Sequence, residues 1–207
     1  MSSAEHAVGH HVHRDDEGAR LGMWLFLFTE LLLFGGMFLI YSIYHYVHQS
    51  EFHLAAKQLN TMFGTLNTFI LLTSSLTMAL SIAAIQKEKK ALSVFLQLVT
   101  ILFAVFFMVN KYFEWSAKIQ HGIYPGSEEL LMKSNGEILF FGLYYLMTGL
   151  HGLHVIIGVL IIGYMTIGTV KGKINSGNFV RLEAAGLYWH LVDIIWIFLF
   201  PLFYLIV

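Results

Sequence analysis

The chain has 207 residues, 57% of them hydrophobic and 12% charged, with a formal net charge of -1. Soluble domains hold roughly 45–50% apolar and about 25% charged residues, so most of this surface faces lipid rather than water. Disorder is excluded by the hydrophobicity, and nucleic-acid binding by the lack of any basic stripe. With no Cys, a disulfide framework, a thiolate metal site, an iron–sulfur cluster and a thiol nucleophile are all excluded.

Crossing a hydrocarbon core of about 30 Å takes roughly 20 apolar helical residues. A polar, His-rich stretch over residues 1–20 comes first, with His6, His10, His11 and His13 beside acidic Asp15, Asp16 and Glu17. It reads as a proton-buffering surface, a weak metal tract or a plain tail. Residues 21–207 then form an all-α membrane domain with five spans, over residues 21–47, 62–85, 92–115, 138–170 and 184–207. The fourth is longer than a bilayer requires and should tilt or project. The runs lack the alternation of barrel strands. The first is too long, and too acidic upstream, for a cleavable signal peptide. Eight Lys and Arg fall in the segments on one side (Arg14, Arg20, Lys87, Lys89, Lys90, Lys171, Lys173, Arg181) and three on the other (Lys57, Lys118, Lys133). The positive-inside rule then puts the N-terminus in the cytoplasm and the C-terminus outside.

Ionisable groups inside spans are costly and mark functional candidates. Glu30 lies ten residues after Arg20, about 15 Å along a helix, among Phe28, Leu31, Leu33 and Phe34. It reads as a proton-active or lipid-cleft carboxyl, or as a carboxyl used only for packing. Lys111 and Glu114 share a helix face at i,i+3, which suggests an intrahelical ion pair near the end of the third span. His151 and His154 have the same spacing, as do His190 and Asp193, where Asp193 is placed to orient His190. A di-iron bundle site wants two Glu-x-x-His motifs, and the sequence has none. Haem ligation by His151, His154 or His190 remains one reading and ordinary interhelical bridging the other. The glycines of the fourth span, Gly142 to Gly168, read as close-packing positions. There is no phosphate loop, Gly-x-Ser-x-Gly or His-Glu-x-x-His.

Several stretches resemble subunit III of haem–copper terminal oxidases. These are Arg20-Leu-Gly-Met-Trp-Leu-Phe-Leu-Phe-Thr-Glu30, Leu66-Asn67-Thr68 with the Ser/Thr-rich run after it, and Lys111-Tyr-Phe-Glu-Trp115. The longest are Gly149-Leu-His-Gly-Leu-His-Val-Ile-Ile-Gly158 and Glu183-Ala-Ala-Gly-Leu-Tyr-Trp-His-Leu-Val-Asp193-Ile-Ile-Trp196. The resemblance implies a non-catalytic, all-helical subunit with no metal or cofactor of its own. It would sit against subunit I of an oxidase that carries haem and copper, reduces dioxygen to water and pumps protons, with subunits II and IV as further partners. It implies roles in stabilising subunit I, holding phospholipid, and supporting proton uptake and oxygen access, in a bacterial cytoplasmic membrane. Many members have seven helices, with a lipid-filled cleft between the first two and the rest; five here would leave that first pair to another subunit. By this resemblance Glu30 matches the family's carbodiimide-reactive carboxyl, and Arg20 and His11 match positions near lipid headgroups. Lys111, Glu114, His151, His154, Glu183, His190 and Asp193 match a buried polar network. The rival readings are an accessory protein of nitric oxide reductase with this fold, an independent haem-binding membrane protein, and a transporter. Odd span number and lack of a visible repeat weigh against the last.

Overall fold

A computed structural model describes residues 16–206. Among these residues there are seven helices: α1 (Asp16–Val47), α2 (Gln49–Ala56), α3 (Thr61–Gln86), α4 (Lys90–Gln120), α5 (Glu128–Leu131), α6 (Asn135–Val170) and α7 (Val180–Tyr204). Five of them, α1, α3, α4, α6 and α7, are long and apolar enough to cross a membrane. The protein is a multi-pass membrane bundle. Polar side chains cap the starts of α3 and α6, while α4 and α7 begin without a side-chain cap. Asn60 accepts from the Met62 amide at the start of α3. At the start of α6 the Ser134 hydroxyl accepts from the Glu137 amide and donates to the Glu137 carboxylate. Glu51 on α2 also accepts from the Gly136 amide, so an acidic side chain from another helix sits at the positive end of α6. With 36 residues, α6 is about 54 Å long, so it exceeds the hydrocarbon core as the sequence suggests.

Helix α7 is the hub. It packs against α3, α6 and α1, while α4 pairs with α3 and α6. Its Trp189, Trp196, Leu199 and Phe203 are fully buried. Glycines set the approach on either side: a Cβ on Gly158 would stand 2.7 Å from the Trp189 ring, and one on Gly186 2.6 Å from Ile82. The outermost span, α1, turns Leu27, Phe34 and Tyr41 inward, seven residues apart, and leaves most of its other faces exposed.

Helix α4 is inside out. Its buried face is Ser93, Gln97, Thr100, Ala104, Phe107, Lys111, Glu114 and Lys118, and its exposed face includes Leu98, Leu102, Val105, Phe106 and Val109. The alternating steps of four and three are those of a helix seam, but the side chains on it are mostly polar. In lipid an apolar side chain gains little by moving inward, whereas a polar one gains hydrogen bonds.

Candidate functional site

The titratable groups of the spans fall into separate clusters rather than one network. The first joins α1 to α6. His154 Nε2 lies 2.9 Å from Glu30 Oε2, and its Nδ1 lies 2.8 Å from the Leu150 carbonyl oxygen. Phe34 closes on the imidazole edgewise, and Tyr188 of α7 donates to the His154 carbonyl at 3.0 Å. The two side chains are 14% and 11% exposed, so the pair opens narrowly on the outside of the bundle. The sequence suggests apolar surroundings for Glu30; the partner 124 residues away is visible only in the fold.

The second cluster ties α4, α6 and α7. Lys111 Nζ lies 3.1 Å from Glu114 Oε2 and donates to the Tyr144 and Tyr204 hydroxyls at 3.0 Å each. Both hydroxyls donate to Glu114 Oε1, at 2.9 and 2.6 Å. The ammonium also faces the Tyr144 and Trp196 rings, 4.9 and 5.4 Å from their centres. Sequence spacing suggests an ion pair near an interface. The structure keeps the i,i+3 pair but seals it, with Lys111 6% and Glu114 5% exposed. The reason is that Lys111 and Glu114 lie on the buried face of α4, where Tyr144 of α6 and Tyr204 of α7 close over them. The two tyrosines, absent from the expected set, complete the site.

The third cluster lies along α7. Arg20 of α1 pairs with Glu183 at 3.2 Å. Glu183 therefore stands at the rim of the bundle and not in its interior. Both line a pocket of about 550 Å³ between α1, α3 and α7, with Trp24, Ile82 and Leu187 as apolar wall and His190 at its inner end. His190 Nδ1 lies 2.6 Å from Ser75 Oγ of α3. Asp193 does not orient His190: neither carboxyl oxygen has a hydrogen-bond partner among the described residues. His151 is fully buried against Phe107 and Trp196, and both ring nitrogens are likewise without partners. Smaller links complete the interior, Asn110 to Asn67 and Thr166 to Gln97 among them. The regular spacing on α4 could have disclosed the last.

Among the described residues no group of three or more His, Asp or Glu converges as a metal site. His154 is spent on Glu30 and the Leu150 carbonyl, His190 Nδ1 on Ser75, and His151 packs against two aromatic rings that also touch each other. His11 and its neighbours His6, His10 and His13 lie outside the described residues.

Outside the membrane spans, the Glu51 carboxyl is pushed up by partial burial. The Gly136 amide, the Ser134 hydroxyl and His48 outweigh that and hold it below its ordinary value. The contact joins α2 to α6 at the end of the bundle opposite the Arg20–Glu183 pair.

A family model described as cytochrome c oxidase subunit III matches residues 1–206. The chain is similar to a cytochrome c oxidase subunit 3 of Thermostichus vulcanus, 30% identical over 95% of this chain and 91% of that one. It is similar to a protein of Staphylococcus haemolyticus named as a probable quinol oxidase subunit 3, 30% identical over 90% and 88%. It also matches a heme-copper oxidase subunit I+III of Aeropyrum pernix, 29% identical over 90% of this chain but only 22% of that longer polypeptide.

Proposed function

The chain belongs to the cytochrome c oxidase subunit III family, and we propose that it serves as the non-catalytic subunit III of a respiratory haem–copper oxidase in a bacterial cytoplasmic membrane. The observation that carries this reading is the family match along residues 1–206, with relatives named for both cytochrome c and quinol oxidases. The Aeropyrum relative, whose name joins subunits I and III in one polypeptide, supports direct contact with subunit I. Haem and copper belong to the partner subunits, where they supply the oxygen chemistry.

On this reading the chain contributes a rigid polar core and an apolar exterior. The Lys111–Glu114–Tyr144–Tyr204 cluster locks α4, α6 and α7 in register. Arg20, held by Glu183 at the pocket rim, offers a guanidinium to a phospholipid phosphate as a charge-assisted pair. The apolar pocket wall takes the acyl chains. Glu30 lies deeper, paired with His154 and open to the lipid side, where an apolar carbodiimide reaches it. The exposed apolar faces of α1 and α4, each packed beside α6, offer lipid-facing surface along which dioxygen partitions toward subunit I. The N-terminal end, which gathers eight of the basic residues with the loops on its side, faces the cytoplasm.

The test is a reduced-minus-oxidised optical spectrum of the tagged chain, purified in mild detergent and again after its partners are stripped. Haem bands should accompany the complex and leave with the catalytic subunit, whose identity separates an oxidase from a nitric oxide reductase. Stoichiometric haem on the stripped chain would overturn the assignment and favour an independent haem protein.

A further inference from the structure

Asp193 has no place in the proposed role. It is 2% exposed on α7, and neither oxygen receives a hydrogen bond. Ser74 and Ser75 of α3 are the hydroxyls beside it. Ser74 is committed, since it donates to the Leu71 carbonyl and accepts from the Trp189 indole. Ser75 is not; its one partner is His190 Nδ1 at 2.6 Å. His190 in turn lines the pocket that opens beside Arg20 and Glu183. Pocket, imidazole, hydroxyl and buried carboxyl thus follow one another.

We propose that Asp193 is a buried proton-binding site, filled from the Arg20–Glu183 pocket through His190 and Ser75. Water in the pocket gives a proton to His190 Nε2. The ring releases its Nδ1 proton to Ser75 Oγ, and the Ser75 hydroxyl turns and passes its own proton to Asp193. One proton moves inward, and His190 is left in its other tautomer; a ring flip and a hydroxyl turn reset the line. A carboxyl sealed from water, with only two serine hydroxyls beside it, accommodates a proton far more readily than a charge. Imidazole suits the second position, because its two nitrogens accept and donate on opposite edges.

The surroundings leave the site to this one route. Helix α3 contains no Asp, Glu, Lys, Arg or His. On α1, Arg20 is paired with Glu183 and Glu30 with His154. On α6, His154 is therefore engaged, and His151 packs against the Phe107 and Trp196 rings with no hydrogen bond. On α7 itself, Tyr188 and Tyr204 are spent on the His154 carbonyl and on Glu114. Past Asp193, the Trp196 indole is committed to Thr68, and Leu199 and Phe203 follow. The line ends at Asp193 and is a store for one proton, not a path across the bundle.

The experiment is infrared spectroscopy of the full chain in its purified complex, transferred from H2O to D2O, reading the carboxylic-acid carbonyl band. Asp193→Asn should remove one band. In the wild type that band should shift promptly in D2O. In Ser75→Ala, which deletes only the relay hydroxyl, the shift should slow by about tenfold or more, the equivalent of losing one hydrogen-bonded step. His190→Leu should slow it likewise. An Asp193→Asn spectrum that keeps every acid band overturns the proposal. So does an exchange rate in Ser75→Ala equal to that of the wild type, and this second arm decides the matter even where Asp193→Asn fails to assemble. Neither readout depends on oxidase turnover.

Discussion

Glu114→Ala should destabilise the bundle more than Lys111→Met, because Glu114 has a second cation near it, Lys118, whereas Lys111 has no second carboxylate among the described residues. Removing Glu114 takes away the one carboxylate facing Lys111 and the common acceptor of the Tyr144 and Tyr204 hydroxyls. An ammonium 6% exposed is left without a counter-charge, and breaking a buried pair in this way costs about 3–5 kcal/mol. Removing Lys111 instead leaves Glu114 with both phenolic donors and with Lys118 as a remaining counter-charge, so the loss is closer to one charge-assisted bond, about 1.5–3 kcal/mol. The double variant Lys111→Met/Glu114→Leu removes both charges. The tyrosine hydroxyls, 3.3 Å apart, can then bond to each other, so the cost should fall below the sum of the singles by about 1 kcal/mol or more. Ordinary interhelical hydrogen bonds in membranes average only about 0.6 kcal/mol, so effects of this size would mark the cluster as a charge site. Unfolding by increasing sodium dodecyl sulfate in mixed micelles, followed by far-ultraviolet circular dichroism, measures all three. Equal single costs with an additive double would refute the argument.

Glu30→Gln should preserve assembly and turnover while abolishing carbodiimide labelling of α1; labelling of the mutant at this helix would sink the assignment. Gly158→Ala places a methyl 2.7 Å from Trp189, a ring that is fully buried and hydrogen-bonded to Ser74. Overpacking of this kind costs about 1–3 kcal/mol and should appear as a red-shifted, weaker tryptophan emission and a lower denaturant midpoint. Gly163→Ala, with open space at the same test position, is the control and should behave as wild type. The Glu51 carboxyl sits below its ordinary value in the folded state. Its contribution is therefore present above the unfolded value and is lost as pH falls through the lower folded one. Amide exchange at the start of α6 should accelerate only in that acid range, and Glu51→Gln should remove the pH dependence; an unchanged profile in Glu51→Gln would discount the contact.

The five spans were legible because their signal is composition summed over some twenty residues; the structure differs from the sequence reading in where the spans begin and end and in the short helices α2 and α5 between them. The Lys111–Glu114 pair was legible too, since i,i+3 is a property of one helix. Its tyrosines were not, because Tyr144 and Tyr204 are 30 and 90 residues from Glu114 and look like any other aromatic in a greasy run. The same limit hid the Glu30–His154 pair. It also made Asp193 look like a partner for His190: on one helix the spacing permits it, but Ser75 from α3 occupies the imidazole first. Local spacing shows which side chains share a face, and only the packing shows what stands opposite.

That distinction bears on α4 in particular. In water, a helix with Ser93, Gln97, Thr100 and Lys111 on one side and Leu102, Val105 and Phe106 on the other would turn the second set inward. In lipid the apolar side has nothing to gain from burial, and each polar side chain left outside would lack a partner. The polar face must therefore point at other helices, and each residue on it becomes a reason for a particular neighbour: Thr100 for Thr77 of α3, Gln97 for Thr166 of α6, Lys111 for Tyr144 and Tyr204. Specificity in this bundle rests on those pairings. Among the described residues that are buried as a whole, two have no hydrogen bond to any side-chain polar atom, His151 and Asp193. A fold selected only for packing would gain by replacing them with apolar residues of similar size. For Asp193, the line from the pocket through His190 and Ser75 supplies the reason to keep it.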